Sequence, residues 1–204
     1  MENVLKKYNV SRETIDALRT FQSLVLEWNN KFNLISKSSE QNIWERHIID
    51  SAQLYQFINN SAESLYDFGS GAGFPGVVLA IIAKEKNKNL KITLIESITK
   101  KTAFLNEVKD VLNININVIN ERIENLRLPT ADIITSRAMS SLDKLLNYSI
   151  SFTSKKTKLI FPKGEKWEEE IIKAKEKWVF DYKTIPSETN KEARILYIEN
   201  IRRK

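Results

Sequence analysis

The chain has 204 residues, 42% of them apolar and 28% charged, and carries a formal net charge of +6 from 32 basic and 26 acidic side chains. Zero cysteines exclude disulfides, thiolate nucleophiles and cysteine-based metal sites, and with a single histidine a zinc site is not expected either, so the metal expectation is none. No apolar run approaches the roughly 18 residues a membrane span needs, and residues 1–7 lack the hydrophobic region of a signal peptide; the expected setting is cytoplasmic, without a membrane partner.

The first sixty residues read as two amphipathic helices. Ser11 is placed to cap the first, whose apolar positions Ile15, Leu18, Phe21, Val25 and Trp28 recur at helical spacing. The run Asn29-Asn30-Lys31-Phe32-Asn33-Leu34 breaks that pattern. Ser38 with Gln41 then forms a capping box, opening a second helix with a stripe of Trp44, His47, Ile48, Ser51, Leu54, Tyr55 and Ile58. A histidine on such a stripe is either a satisfied core residue or a site residue, and Asp50, three positions on, is placed to fix its tautomer in both cases. Asn59-Asn60-Ser61 is the one evident linker. It divides the chain into an N-terminal helical extension, 1–60, and a larger unit, 61–204, packed together as one body.

After the linker, short apolar strands alternate with helices, the pattern of a parallel sheet covered on both faces. Strands are expected at Leu65–Phe68, Lys91–Ile95, Ile116–Ile119, Asp132–Thr135 and Lys158–Phe161. Helices are expected at Val77–Lys84, Thr99–Leu112, briefly near Ile123, at Leu142–Phe152 and at Trp167–Lys177. Two further strands, Val179–Lys183 and Arg194–Ile201, follow one another with only a polar loop between, which predicts an antiparallel hairpin closing a mostly parallel, seven-stranded, Rossmann-like α/β sheet.

The first strand runs into Asp67-Phe68-Gly69-Ser70-Gly71-Ala72-Gly73-Phe74-Pro75-Gly76, which holds four of the five glycines in the chain. Strand, glycine turn and helix let backbone N–H groups and a helix N-terminus approach a ligand closely. Gly71-x-Gly73-x-x-Gly76 satisfies a dinucleotide fingerprint, which keeps a nicotinamide-linked oxidoreductase open. Asp67-x-Gly69-x-Gly71-x-Gly73 fits better and resembles the first motif of class I S-adenosylmethionine-dependent methyltransferases; the closing hairpin is the ending of that class and is absent from plain dehydrogenases.

Ligands in open α/β sheets bind beyond the C-terminal ends of the strands. At the second such end stands Glu96, whose two oxygens can accept from both hydroxyls of a ribose, or serve the first turn of the next helix. At the third stand Ile123 and Glu124, where an adenine is commonly faced, or where the charge is simply solvated. At the fourth stands Arg137, a rigid five-donor fork for phosphate, carboxylate or a purine oxygen, or else a structural partner of Glu96 or Glu124. No Asn/Asp-Pro-Pro-aromatic run occurs there, which argues against an exocyclic amine as methyl acceptor, and the lack of cysteine excludes pyrimidine carbon-five methylation.

Arg46-His47-Ile48-Ile49-Asp50-Ser51, the glycine loop, Glu96-Ser97-x-x-Lys100-Lys101-x-x-Phe104-Leu105, Ser136-Arg137-Ala138, Lys163-Gly164 and Arg194 together closely resemble the bacterial small-subunit rRNA methyltransferases once called glucose-inhibited division protein B. The resemblance runs from about residue 28 to 201. It implies methyl transfer from S-adenosyl-L-methionine to the seven-position nitrogen of one guanine in 16S rRNA, with Gly69, Phe74, Glu96, Ile123, Glu124 and Arg137 around the cofactor; Gly71 and Gly73 of the glycine motif are cofactor-binding candidates beside them. Two positions depart from the family pattern: Glu96 stands where aspartate is frequent, and Ile123 where alanine is.

That guanine nitrogen carries a lone pair and no proton, so no general base and no certain catalytic residue is expected, with Arg137 the candidate for orienting the base. Arg46, His47, Lys163 and Arg194 are the candidate substrate contacts. The charge surplus lies mainly in residues 151–204, with 14 basic and 9 acidic side chains, which suits a polyanionic partner. No RNA-reading aromatic stripe is present. The expected substrate is therefore 16S rRNA already shaped within a small-subunit particle, acted on by a monomer; an RNA-binding module with a vestigial pocket is the non-catalytic alternative.

Overall fold

The alternation after residue 61 becomes seven strands in the computed structural model, which describes residues 8–204: β1 (Ser64–Phe68), β2 (Lys91–Ile95), β3 (Ile116–Ile119), β4 (Ile133–Thr135), β5 (Lys158–Lys163), β6 (Trp178–Pro186) and β7 (Arg194–Arg203). They pair in the order β3-β2-β1-β4-β5-β7-β6. The first five are parallel, and β7 enters antiparallel between β5 and β6. The topological switch falls between β1 and β4, which opens a crevice at their C-terminal ends. The signal-peptide reading of residues 1–7 lies outside the described residues.

Helices α1 (Arg12–Asn29), α2 (the helical segment 44–57), α3 (Gly76–Lys86), α4 (Thr99–Leu112), α5 (Leu142–Ser149) and α6 (Trp167–Lys175) complete the fold. Ser11 caps α1, its side chain accepting from the Thr14 N–H. Residues Gly76 to Ala83 of α3 are buried without exception. A helix apolar all round needs cover on every side, and here the sheet supplies one side while α1 and α2 supply the others. Leu18, Phe21 and Val25 of α1 are fully buried in the same core as Val77, Leu79 and Phe104, and each such side chain contributes about 1.5–3 kcal/mol. A second core, around Phe68, Leu146, Phe161 and Leu196, fills the opposite face under α5 and α6.

The second helix differs from its sequence pattern. Ser38 sits inside a four-residue turn, Lys37–Glu40, with its hydroxyl against that of Ser36, and caps nothing. The helix begins at Trp44 and is π-helical over Trp44–Ile49, α-helical over Asp50–Ala52 and 3-10 over Gln53–Phe57. Changing the winding from residue to residue re-aims the side chains: Ile49 and Gln53, off the expected stripe, are buried, while His47 is only half-buried. A π turn of this kind re-spaces one face of a helix and is frequent at functional sites.

Candidate active site

The glycine loop closes over the ends of β1 and β2. Gly69 and Ser70 donate to the Ile95 carbonyl at 2.9 and 3.2 Å, and Gly73 donates to Ser70 at 2.7 Å. Gly69, Gly71 and Gly73 all have positive φ, between 56° and 87°, a region costly to other residues. Asp67 lies beneath the loop, fully buried, accepting from the Gly76 N–H at 3.1 Å and the Thr135 hydroxyl at 3.0 Å. Burial pushes its pKa up to about 6, and the donors around it pull the other way. At Gly76 a Cβ would stand 2.3 Å from Leu94 and 2.6 Å from the Asp67 carboxylate. Asp67 therefore fastens the loop to α3 from below and does not face a ligand.

Above the loop is a cavity of about 500 Å³. Gly69, Gly71, Phe74, Glu96, Ile123, Glu124 and Arg137 line it. Gly73 does not: its missing Cβ would meet Val77 at 2.6 Å and Phe21 at 3.1 Å, so this glycine serves the packing of the loop on α1 and α3. Glu96, 6% exposed, accepts from the Gly71 N–H at 2.9 Å with one carboxylate oxygen and from the Ile98 N–H at 2.8 Å with the other. It thus holds the entry to α4, the second of the two roles left open for it, and it also lines the cavity. A Cβ on Gly71 would find nothing nearer than the Gly69 carbonyl, 3.8 Å away. An open glycine backbone beside an acceptor-only carboxylate suits a ligand with a vicinal diol and a flat heterocycle, as S-adenosylmethionine has, and the residues fit it.

Arg137 pairs with neither Glu96 nor Glu124. Its Nη1 donates to Asp50 Oδ2 at 3.0 Å and to the Arg46 carbonyl at 2.9 Å, and its Nη2 donates to His47 Nδ1 at 2.6 Å. Three of its five N–H donors are thus engaged with α2, leaving the Nε–H and one Nη2–H for a ligand. Because guanidinium only donates, His47 Nδ1 must accept and the ring proton sits on Nε2; Arg137, not Asp50, fixes the tautomer. Burial, then the charges of Arg137 and Arg46, hold the His47 pKa down to about 4, so the ring is neutral at physiological pH. It stacks on Phe74, with centroids 4.9 Å apart, and the Arg137 guanidinium lies 5.2 Å from the same phenyl centroid.

This Phe74–His47–Arg137 stack is a partition. Behind it lies a groove of about 1320 Å³, bordered by all four candidate substrate residues, Arg46, His47, Lys163 and Arg194. Their states differ. Arg46 is exposed, and Arg194 lies over the Trp167 ring at 5.7 Å. Lys163 is 8% exposed and donates to Glu170 at 2.8 Å and to the Ser140 carbonyl at 2.7 Å, so it braces the 138–142 turn. Burial lowers its pKa, with Glu170 acting in the opposite sense. The seven basic and four acidic residues around the groove leave it net positive.

Sequence reasoning missed several wall residues. Met139 borders both cavities and lies over Gly69, whose Cβ would meet it at 2.7 Å. Tyr148 closes the Glu124 end. Neither belongs to a periodic pattern or motif that could have drawn attention to it. Asp50 was visible as a possible histidine partner and as part of the run Arg46–Ser51, but not as the partner of Arg137.

The parallel sheet with its inserted antiparallel strand, the glycine loop and the carboxylate after β2 define the fold of a class I methyltransferase. The O-methyltransferase from Bacillus cereus in complex with SAH superposes with a TM-score of 0.60 at 13% identity, over 89% of this chain and 91% of that one. TYW2 of M. jannaschii in complex with AdoMet gives 0.56 at 17%, over 78% and 76%. The chain belongs to the rRNA small subunit methyltransferase G family, whose model matches residues 14–196. Among its relatives, the ribosomal RNA small subunit methyltransferase G of Rickettsia akari is 43% identical over 94% of this chain and 97% of its own. That of Jannaschia sp. is 38% identical over 92% and 89%. These relatives are methyltransferases by name, and the nicotinamide and vestigial-pocket alternatives find no support in them.

Proposed function

We propose that the protein transfers a methyl group from S-adenosyl-L-methionine to the seven-position nitrogen of a guanine in small-subunit rRNA. The observation that carries this reading is the shared wall: His47 and Arg137 border both the glycine-loop cavity and the basic groove, so a cofactor in one and an RNA base in the other meet at one partition. Glu96 and the Gly71 backbone would hold the ribose end, and Ile123 and Glu124 the adenine. When bound, the sulfonium supplies an electrophilic methyl group.

The acceptor nitrogen needs no deprotonation, so the protein's contribution is alignment. The two uncommitted Arg137 donors suit the purine oxygen beside that nitrogen. His47 is a poor proton acceptor here, because its Nδ1 lone pair is engaged with Arg137, its Nε2 carries the proton and its pKa is held down to about 4. Both oxygens of Asp50 are taken up by Arg137, Gln53 and Thr189. A guanine must be unstacked to reach such a wall, which favours rRNA presented in a partly assembled small-subunit particle over naked rRNA, with the protein acting as a monomer in the cytoplasm. Among the described residues no helix is long and apolar enough to cross a membrane.

Calorimetry tests the cofactor half of the proposal. S-adenosylhomocysteine is expected to bind at micromolar levels and NADH not at all; tight NADH binding would reverse the reading. Comparing turnover on small subunits with turnover on naked rRNA tests the other half, and equal rates would refute the particle requirement.

A further inference from the structure

Nothing in the proposed reaction uses the run 29–34 that ends α1, yet this run is built with care. Asn29, 8% exposed, accepts from the backbone N–H groups of Leu34 at 2.7 Å and Ile35 at 2.8 Å, while its amide donates to Glu40. One side chain thereby fixes the whole turn. Trp28 backs it: its indole lies 5.7 Å from the Phe32 ring and 5.5 Å from Phe104, and its N–H is held by Glu107 at 3.0 Å. The result is a half-buried phenyl ring, Phe32, pinned from behind and facing a cavity of about 390 Å³ between the turn and the start of α4.

The charged residues around that cavity are Lys31, Lys100 and Lys101, with no acidic side chain among the described lining. Lys100 Nζ stands 4.8 Å over the Phe32 ring. Lys31 also pairs with Glu27 at 2.9 Å, through side chains more than half exposed, a pair weak enough to exchange for a phosphate. Leu34 and Lys101 line both this cavity and the one above the glycine loop, so the two are neighbours. Ile98, at its rim, is 49% exposed.

A rigid aromatic face among ammonium groups is the chemistry that takes a single-stranded nucleotide, with the base on the ring and the phosphate on the lysines. We infer that this cavity is a second RNA subsite, holding an unpaired nucleotide of the substrate RNA on the far side of the cofactor pocket from the basic groove. The RNA then spans the pocket from both sides. This inference rests on the proposed rRNA substrate. The sites differ in character: the groove of Arg46 and Arg194 offers arginine forks, while this one offers a ring and mobile point charges.

The test uses the full chain, with small ribosomal subunits and a fluorescein-labelled oligoribonucleotide of about ten nucleotides as probes. Phe32→Ala and the double variant Lys31→Gln/Lys100→Gln are compared with wild type for RNA binding across salt concentrations, for S-adenosylhomocysteine affinity and for melting temperature. The double variant changes exposed side chains only and keeps the test decisive if loss of the ring disturbs folding. The expected result is RNA binding weaker by about tenfold, a salt dependence shallower by about one to two charges in the double variant, and unchanged S-adenosylhomocysteine affinity. Wild-type RNA affinity and salt slope in the double variant would overturn the subsite, as would a loss confined to S-adenosylhomocysteine, which would make the cavity part of the cofactor pocket. Wild-type protein that binds S-adenosylhomocysteine but neither RNA probe would instead overturn the proposed rRNA substrate itself.

Discussion

Arg137, at the end of β4, and Asp50, in the π-to-α transition of α2, form an ion pair of 3.0 Å with side chains only 15% and 16% exposed. Asp50 uses its other oxygen to accept from Gln53 at 2.9 Å and from Thr189 at 2.8 Å. Gln53 in turn accepts from the Glu188 N–H at 2.9 Å. The carboxylate thus joins three parts of the chain: the wall of the cofactor pocket, the N-terminal helices and the loop between β6 and β7 that borders the groove.

Removing its charge should loosen all three. Asp50→Asn is expected to lower stability by about 2–4 kcal/mol, because it leaves the mostly buried guanidinium without its counter-charge. Arg137→Lys keeps the charge but loses the fork that reaches His47, Asp50 and the Arg46 carbonyl together. Cofactor affinity and turnover should both fall, turnover by about a hundredfold for a misplacement on the order of 1 Å. Melting curves, calorimetry with S-adenosylhomocysteine and single-turnover rates measure these. Full activity in Arg137→Ala would remove the residue from the site.

Glu96→Ala removes two hydrogen bonds from backbone N–H groups and the proposed ribose acceptor at once. S-adenosylhomocysteine affinity should weaken by about 1.5–3 kcal/mol. An unchanged dissociation constant with a lowered melting temperature would reduce Glu96 to a support for the glycine loop and α4.

The pH dependence of stability carries a signature of His47. Its folded pKa, about 4, lies below the ordinary 6.5. Between those values the unfolded chain binds the proton and the folded chain does not, so this contribution to stability is lost as pH falls from 6.5 towards 4. Asp67 acts in the opposite sense. Its raised pKa makes the folded chain the better proton acceptor between 3.8 and about 6. The wild-type curve alone therefore mixes the two, and the comparison with His47→Asn separates them. The gap in melting temperature between wild type and variant should shrink on acidification through that window. A gap constant from pH 7 to pH 4.5 would contradict the neutral, buried imidazole.

Two glycines should behave oppositely. Gly76→Ala drives a methyl group into Leu94 and Asp67 and should cost about 1–3 kcal/mol by overpacking. A Cβ on Gly164, beside the groove, meets nothing within 4 Å, so Gly164→Ala should leave the melting temperature alone. A drop in methylation of small subunits by that variant would then report contact with RNA.

The seven strands and most of the glycine loop were legible because short apolar runs between helical segments and clustered glycines are local signals. Residues set after strand ends, such as Glu96 and Arg137, were legible for the same reason: topology alone brings those positions to one crevice. The partner of Arg137 was not, because Asp50 reaches it only after a π turn that no helical periodicity encodes. Gly73 looked like a ligand-facing glycine and is a packing glycine instead, a distinction that depends on α1 lying over the loop. The capping box at Ser38 failed because Ser36, two residues earlier, precedes a short turn that competes for the same segment. Met139 and Tyr148 carry no motif, and only the path of the turn after β4 and the placement of α5 bring them to the pocket.

The central claim is methyl transfer to one guanine nitrogen of small-subunit rRNA, and one measurement addresses it directly. Small subunits from cells lacking this gene are incubated with the protein and S-adenosylmethionine bearing an isotopically labelled methyl group, and the rRNA is digested to nucleosides for mass spectrometry. The account predicts label in 7-methylguanosine alone, at one residue per 16S rRNA, and none with the Arg137→Ala protein. Label in any other nucleoside, or a folded protein that binds S-adenosylhomocysteine yet leaves these subunits unlabelled, would contradict it.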